Sequence, residues 1–482
     1  MGVVIEREEW ALTPLAYPLL SVAALAAVLL LPYFSTRAAA HAAGPPSPFD
    51  VAAGPFLRFR RAFLVLFALA SVASVNSMYC LLVVNLGWVS HDAVWIIYRA
   101  IFLPSTALSP AIVVTYYKYL SFYPSNSGYN KFSADFCRGP RRACIFYWVL
   151  QLAVGALKSF NVLRCAWINN FILALASSVF SFSFETWLVV EHEKQDQKQD
   201  LLFDTFWLMT FFESVSHIGS QEITNVLVGG EDRRFWLPYA LAATLSVVGI
   251  LYIRNVSSTT QHASAVGSYQ KSFFAHVLRD KRVLILVLAQ ASVHFAVSAF
   301  WFLWAPIIVV LVCANVLFLL ADGRYTQLSL IYPCFLASRM LGSAGFPWFY
   351  GATAPLRNED SLTIAYIGAG LALSIVAYDY QDIGTLVILF CIFHACVGFI
   401  LPSLARFRTM YLPNELRGGM MSFSLTLANA AIFVFLLQGA HRRSVANSTI
   451  LGLASCGLLG AGGCIHMLRR WRKHTRQNAR SL

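Results

Sequence analysis

The sequence predicts an all-α, polytopic membrane protein, and three observations predict it. The chain is 58% hydrophobic and only 12% charged, with a mean hydropathy of +0.62, which is more apolar surface than a soluble domain needs. Apolar runs of the ~20 residues that a bilayer requires recur from end to end. The basic residues cluster between these runs and at the C-terminus, the placement expected of a protein with a cytoplasmic face. A formal net charge of +13 therefore marks membrane flanks and not a nucleic-acid partner. The ten cysteines are scattered singly without a Cys-x-x-Cys pair, which supports neither a disulfide framework nor a zinc site. No phosphate-cradling loop is present to drive a pump. Neither a cofactor nor an enzymatic activity is expected.

About thirteen spans follow from the runs. The first, 12–34, lacks a basic start and outruns a signal peptide, so it reads as a retained extra helix. Next come 62–85, 93–117, 143–160, 163–190, 203–228 and 235–253. After a polar connection follow 283–309, 325–350, 361–378, 383–404, 418–440 and 448–468. The run 283–321 exceeds one span, and its second part, 310–321, reads as a lateral or re-entrant extension. With the N-terminus outside and the C-terminus cytoplasmic, Lys and Arg favour the cytoplasmic connections by roughly three to one. Arg406, Arg408 and Arg417 count among those cytoplasmic cations.

The polar connection 254–282 divides the remaining spans into two sets of six, and its stretch 271–282 reads as a basic amphipathic helix on the inner leaflet. The expected organisation is an N-terminal helix and loop over 1–55 and a first half over 56–254. A linker over 255–282, a second half over 283–468 and a basic tail over 469–482 complete it.

Glu185 is the residue of greatest interest. It lies about two turns inside an apolar run, where an unpaired carboxylate is expensive and marks a functional site by default. His192, seven residues on, shares its helical face. Gln290, His294 and Ser298 form a polar stripe at four-residue spacing that must face protein or water, since lipid offers no partners. His394 lies between Cys391 and Gly398 on a weaker stripe. Glu213 and His217 form another four-residue pair, read as an inter-helix polar contact and not a metal site, because spacing indicates no third ligand. Arg99 and Arg339 lie inside spans as candidate partners for Glu185 or Glu213.

Phe182-x-Phe184-Glu185-x-Trp187-Leu188-Val189-x-Glu191-His192 resembles the fourth core helix of the molybdate-anion transporter family, a branch of the major facilitator superfamily. Further blocks resemble that family in the same order. They are Phe56-Leu57-Arg58-Phe59, Asp280-Lys281-Arg282-Val283-Leu284, Gln290-Ala291, Phe302-Leu303-Trp304-Ala305-Pro306, Ala395-Cys396-Val397-Gly398, Pro402-Ser403 and Leu412-Pro413-Asn414-Glu415. The resemblance implies two six-helix halves with a substrate site between them near mid-membrane.

Aligned without gaps, the family's buried charges fall mostly on neutral residues. Its aspartate in the first core helix falls on Ser74 and its arginine in the fourth on Asn170. Its glutamates in the seventh and tenth fall on His294 and His394, and its arginine in the eleventh on Leu425, while Glu185 is retained. The gate loop between core helices two and three resembles a displaced remnant, Asp135, Arg138, Gly139, Arg141 and Arg142, behind a polar insertion at 121–133.

These readings imply a secondary transporter of the plasma membrane working by alternating access in the lipid bilayer. The resemblance implies a small oxyanion such as molybdate as its substrate, with protons as the candidate coupling ion. Glu185, Gln290, His294, His394, Asn170 and Ser74 are the candidate substrate and coupling residues, and Asp135, Arg138, Arg141 and Arg142 the candidate gate loop. Neutral imidazoles leave Glu185 as a negative site. Protonation of both histidines, near pH 6.5 in their reference state, would reverse that sign. A neutral or cationic organic solute is the alternative, favoured by the missing arginines. A non-transporting scaffold or receptor is the other, favoured by the altered loop.

Overall fold

The computed structural model describes residues 19–26, 29, 54–86, 140–159, 166–195, 199–228, 236–256, 279–316, 328–349, 358–378, 383–412, 414–441 and 447–480. The expected span 93–117, residues 271–278 of the amphipathic stretch, and Asp135, Arg138 and Arg99 lie outside the described residues. The longer helices are α1 Gly54–Leu86, α2 Pro140–Ser159, α3 Ala166–Lys194, α4 Gln199–Val228 and α5 Leu237–Asn255, then α6 Lys281–Val316 and α7 Leu328–Gly345. A 3-10 turn, Phe346–Phe349, precedes α8 Asn358–Tyr378, α9 Ile383–Tyr411, α10 Asn414–His441 and α11 Asn447–Arg480. Stretches in α3, α5, α6, α8, α9, α10 and α11 are long and apolar enough to cross a membrane.

The run 283–321 does not break where the sequence reading placed a lateral extension. It forms the single helix α6 as far as Val316. Ile307 to Val316 is an unbroken series of apolar and helix-compatible residues, and Ile307 and Ile308 are buried in the core. At ~1.5 Å per residue this 36-residue helix outreaches the ~30 Å hydrocarbon layer.

The helices pack around two apolar cores. One is built from α1 to α5, with Phe63, Trp148, Phe184 and Trp187 at its centre. The other is built from α6 to α11, with Phe300, Phe335, Tyr366 and Phe390. Polar side chains fasten helices within each set. Tyr147 donates to the Ala70 carbonyl (2.7 Å), Tyr366 to Ala289 (3.0 Å) and Ser455 to Gly370 (2.7 Å). At the seam between the sets, Trp207 and Phe211 of α4 meet Met340 of α7 and Phe346. Residues 19–26 are helical, and Ala24 is buried in that same seam cluster. Apart from Leu29, which is exposed, the rest of the expected first span lies outside the described residues.

The crossing of α7 and α9 is the tightest contact that glycine permits here. A Cβ on Gly398 would stand 2.1 Å from the Arg339 carbonyl oxygen, and one on Gly342 would stand 1.9 Å from that of Ala395. Backbone meets backbone, so neither side chain nor rotamer can give way. Gly398→Ala is expected to destabilise the protein by about 3 kcal/mol, the upper end for overpacking. Thermal unfolding of purified protein checks this, and an unchanged Tm would contradict the crossing.

Of the candidate gate residues, Arg141 and Arg142 are described. Arg141 sits in the first turn of α2, where its Nη2 donates to the Ile253 (2.7 Å) and Arg254 (3.2 Å) carbonyls at the end of α5. Those carbonyls lie in the last turn of α5, where the guanidinium caps them within one set of helices. Arg142, beside it on the same turn, is half-buried.

Candidate functional site

Where α3 ends and α4 begins, the two sets are joined by a buried ion cluster. Phe184, Trp187 and Leu188 of α3 sink into the first core. Glu185 is free to face α9, which ends at Tyr411, and α10, which begins at Asn414. Arg408 lies in the last turn of α9 and Arg417 in the first turn of α10. Both guanidiniums therefore reach Glu185 from neighbouring helices of one set.

The geometry is a fork closed by a third bond. Arg408 donates from Nε to Oε1 (3.0 Å) and from Nη2 to Oε2 (2.5 Å), and Arg417 donates from Nη1 to Oε1 (3.0 Å). Arg408 also donates from Nη1 to Gln290 Oε1 (2.8 Å), while Arg417 Nη2 bonds Thr409. Gln290 in turn contacts His294 through its Nε2 (3.2 Å). Arg417 lies over the ring of Phe206 (5.7 Å) and Arg406 over that of Phe203 (4.9 Å), both on α4. The side chains of Arg417, Arg408 and Glu185 are 0%, 5% and 11% exposed. At that burial bidentate, charge-assisted bonds are strong, and breaking one side of the pair leaves a costly charge behind.

Two guanidiniums face one carboxylate, so the cluster carries one net positive charge with its histidine neutral. This corrects the expected sign of the region. Arg408 and Arg417, counted in the sequence as loop cations, are buried members of the site.

A second ion pair crosses the seam midway along α4, where Arg339 of α7 donates to Glu213 (2.7 Å). Arg339 is thus the partner of Glu213 and not of Glu185, and the Glu213–His217 pair makes the expected inter-helix contact. His294 is within electrostatic reach of both ion pairs.

The remaining candidates are elsewhere. His394 is 1% exposed and sits among Phe300 (4.4 Å between ring centroids), Trp301 (5.1 Å), Phe393 (5.3 Å) and Phe335 (5.6 Å). Among the described residues neither of its ring nitrogens has a hydrogen-bond partner. It packs as an aromatic side chain, and the structure does not bring it to Glu185. His394→Phe is therefore expected to change stability by less than about 1.5 kcal/mol and to leave anion affinity and its pH dependence as they were. Binding titrations of the variant at several pH values test this. Ser74 contacts Tyr147 within the first set, and the side chain of Asn170 lies outside the described residues.

The arginines carried a readable signal. Val397, Ile400 and Leu404 share the helical face of Arg408, and Met421, Ser424 and Ala428 that of Arg417. All six are buried.

Comparisons with known proteins agree with this architecture. A family model described as sugar transporters with twelve transmembrane segments matches residues 132–392. A molybdate-anion transporter from Xenopus tropicalis is 23% identical over 297 residues, covering 59% of this chain and 62% of that protein. One from Takifugu rubripes is 20% identical over 319 residues, covering 59% and 63%. The matched region thus spans a little over three-fifths of these relatives' length. Among solved structures, the transporter FucP in its outward conformation superposes with a TM-score of 0.61 at 13% identity, covering 86% of this chain and 99% of that one. A bacterial homologue of the iron transporter ferroportin in an outward-facing state gives 0.60 at 13% identity, covering 85% and 98%. The fold is that of the major facilitator superfamily.

Proposed function

The chain belongs to the major-facilitator family that includes the molybdate-anion transporters, and from that premise we propose that it is an alternating-access carrier of a small anion. Its two halves are 56–254 and 283–468, joined by the 255–282 linker. The family is one of transporters, and the protein is a multi-pass integral membrane protein of that kind.

The observation that carries the reading is the Glu185–Arg408–Arg417 cluster. It joins α3 of one half to α9 and α10 of the other, as a latch must. Under the positive-inside rule this end of the bundle faces the cytoplasm, with the N-terminus outside and the tail 469–482 inside. The latch then closes the inner gate. Its net positive charge favours an anion over a cation. The relatives' names support an oxyanion of the molybdate type as the proposed substrate, and the plasma membrane is the proposed location.

The test is uptake into proteoliposomes of labelled molybdate, labelled sulfate and a panel of neutral sugars. Saturable oxyanion uptake that falls at least about tenfold in Arg408→Gln, the loss of one charge-assisted contact, is the expected result. Uptake of a neutral solute alone would overturn the anion assignment.

One observation favours that second reading. Asn76 accepts from Ser220 (2.7 Å) and Thr224 (2.8 Å), and Ser77 bonds Gln151 (3.0 Å), in a fully buried neutral cluster on α1, α2 and α4. Such amides and hydroxyls are the groups that bind a hydroxylated neutral solute.

A further inference from the structure

Resting on the carrier reading above, we propose that Arg408 and Arg417 form an oxyanion subsite whose occupant in this conformation is the Glu185 carboxylate. A closed latch and a bound substrate anion then exclude each other at the same guanidiniums.

Three observations lead there. Arg408 offers Nε and Nη2 to the two oxygens of one carboxylate. The O–X–O edge of a tetrahedral oxyanion presents the same fork, and arginine recognises both by this geometry. Next, the donors are not used up. Among the described residues Arg417 Nε has no hydrogen-bond partner, although its side chain is fully buried. A buried guanidinium N–H without an acceptor is costly, and a ligand with more oxygens than a carboxylate would supply one. Third, the charges do not cancel. Glu185 is the one carboxylate bonded to these two guanidiniums among the described residues, and a dianion would neutralise both.

The division of the cluster between the two sets decides how it works. Arg408, Arg417, Thr409 and Gln290 all belong to helices of the second set, and among the described residues Glu185 is the hydrogen-bond partner that comes from the first. When α3 draws away from α9 and α10, the guanidiniums remain a unit and the carboxylate leaves with α3. The opened latch is then a vacant site with two positive charges. A free oxyanion can hold it until it dissociates and Glu185 returns. Burial of Arg417 in the bundle interior points to a soluble anion as the occupant and not a lipid headgroup.

The experiment titrates purified full-length protein with sodium sulfate and with sodium molybdate at constant ionic strength, with chloride as control. Affinity is read by calorimetry. Glu185→Gln removes the internal competitor, so it should bind both oxyanions about tenfold tighter than wild type or better. Adding Arg417→Gln to that background should abolish the gain. Adding Arg417→Lys, which keeps the charge and loses the fork, should abolish part of it and guards against a folding failure of the glutamine variant. Tighter binding that depends on Arg417 establishes the subsite. Binding by Glu185→Gln no tighter than wild type, or binding indifferent to Arg417, overturns it. A spin-label distance across the latch separates the two levels. If Glu185→Gln opens the latch without gaining affinity, the subsite fails and the carrier reading stands. If the latch stays shut, the carrier reading fails with it.

Discussion

Replacing Glu185 with glutamine is expected to shift the protein towards a state open at the α3–α10 end and to abolish coupled uptake. Two buried guanidiniums would lose the one anion they share among the described residues. At an effective dielectric near 20 each contact at ~4 Å is worth about 4 kcal/mol before desolvation, and removing one member of a buried pair costs about 3–5 kcal/mol. That energy is lost only where the pair is formed, in the closed conformation. The closed-to-open ratio should therefore fall by about two to four orders of magnitude. Folded yield should change little, because the opened state hydrates the arginines. Solvent labelling of a cysteine placed at Thr409 in a cysteine-free background measures the opening. If Glu185→Gln instead lowers yield and Tm as much as uptake, the residue is a structural tie.

Arg339→Ala should act differently, on stability first. Glu213 lies midway along a 30-residue helix, so the abandoned carboxylate would sit near the centre of the bilayer. The cost there is again about 3–5 kcal/mol, but the seam it crosses is packed over Trp207, Phe211, Met340 and Phe346 and offers less water on opening. A large loss of folded protein is the expected outcome. The reversed pair, Glu213→Arg with Arg339→Glu, should recover part of it. A double-mutant cycle on Tm should give a coupling energy of about 2 kcal/mol or more. Additive effects would show that the two side chains do not support each other.

The helical fold was legible because the bilayer imposes one requirement at every span: about 20 apolar residues whose backbone satisfies itself. Hence the C-terminal ends of the runs at Val228, Tyr378 and Ala440 agree with those of α4, α8 and α10 to within a residue, and their starts to within four. Where the sequence reading erred, local pattern was ambiguous. The apolar run past Val309 contains nothing that separates a lateral piece from a continued helix, and α6 simply continues. Glu185 was legible because a carboxylate in an apolar run has few structural excuses. Its partners were not, because an arginine within a turn of a helix end serves equally as an interfacial anchor or a buried ligand. Only the buried apolar face behind Arg408 and Arg417 distinguishes the two. The same ambiguity hid the bonds of Arg141 to the end of α5. His394 misled for the opposite reason: a polar type in a span attracts a functional reading, whereas its four aromatic neighbours make it a packing residue.

The most direct test of the latch is a distance across it. Spin labels at Lys194, at the end of α3, and Met410, near the end of α9, are on exposed positions of opposite halves beside the cluster. In wild-type protein without substrate, pulsed electron–electron resonance should give one dominant short distance. Glu185→Gln and Arg417→Gln should each move most of the population to a longer one, while His394→Phe should leave it in place. An unchanged distance distribution in Glu185→Gln would contradict the claim that this cluster holds the two halves closed.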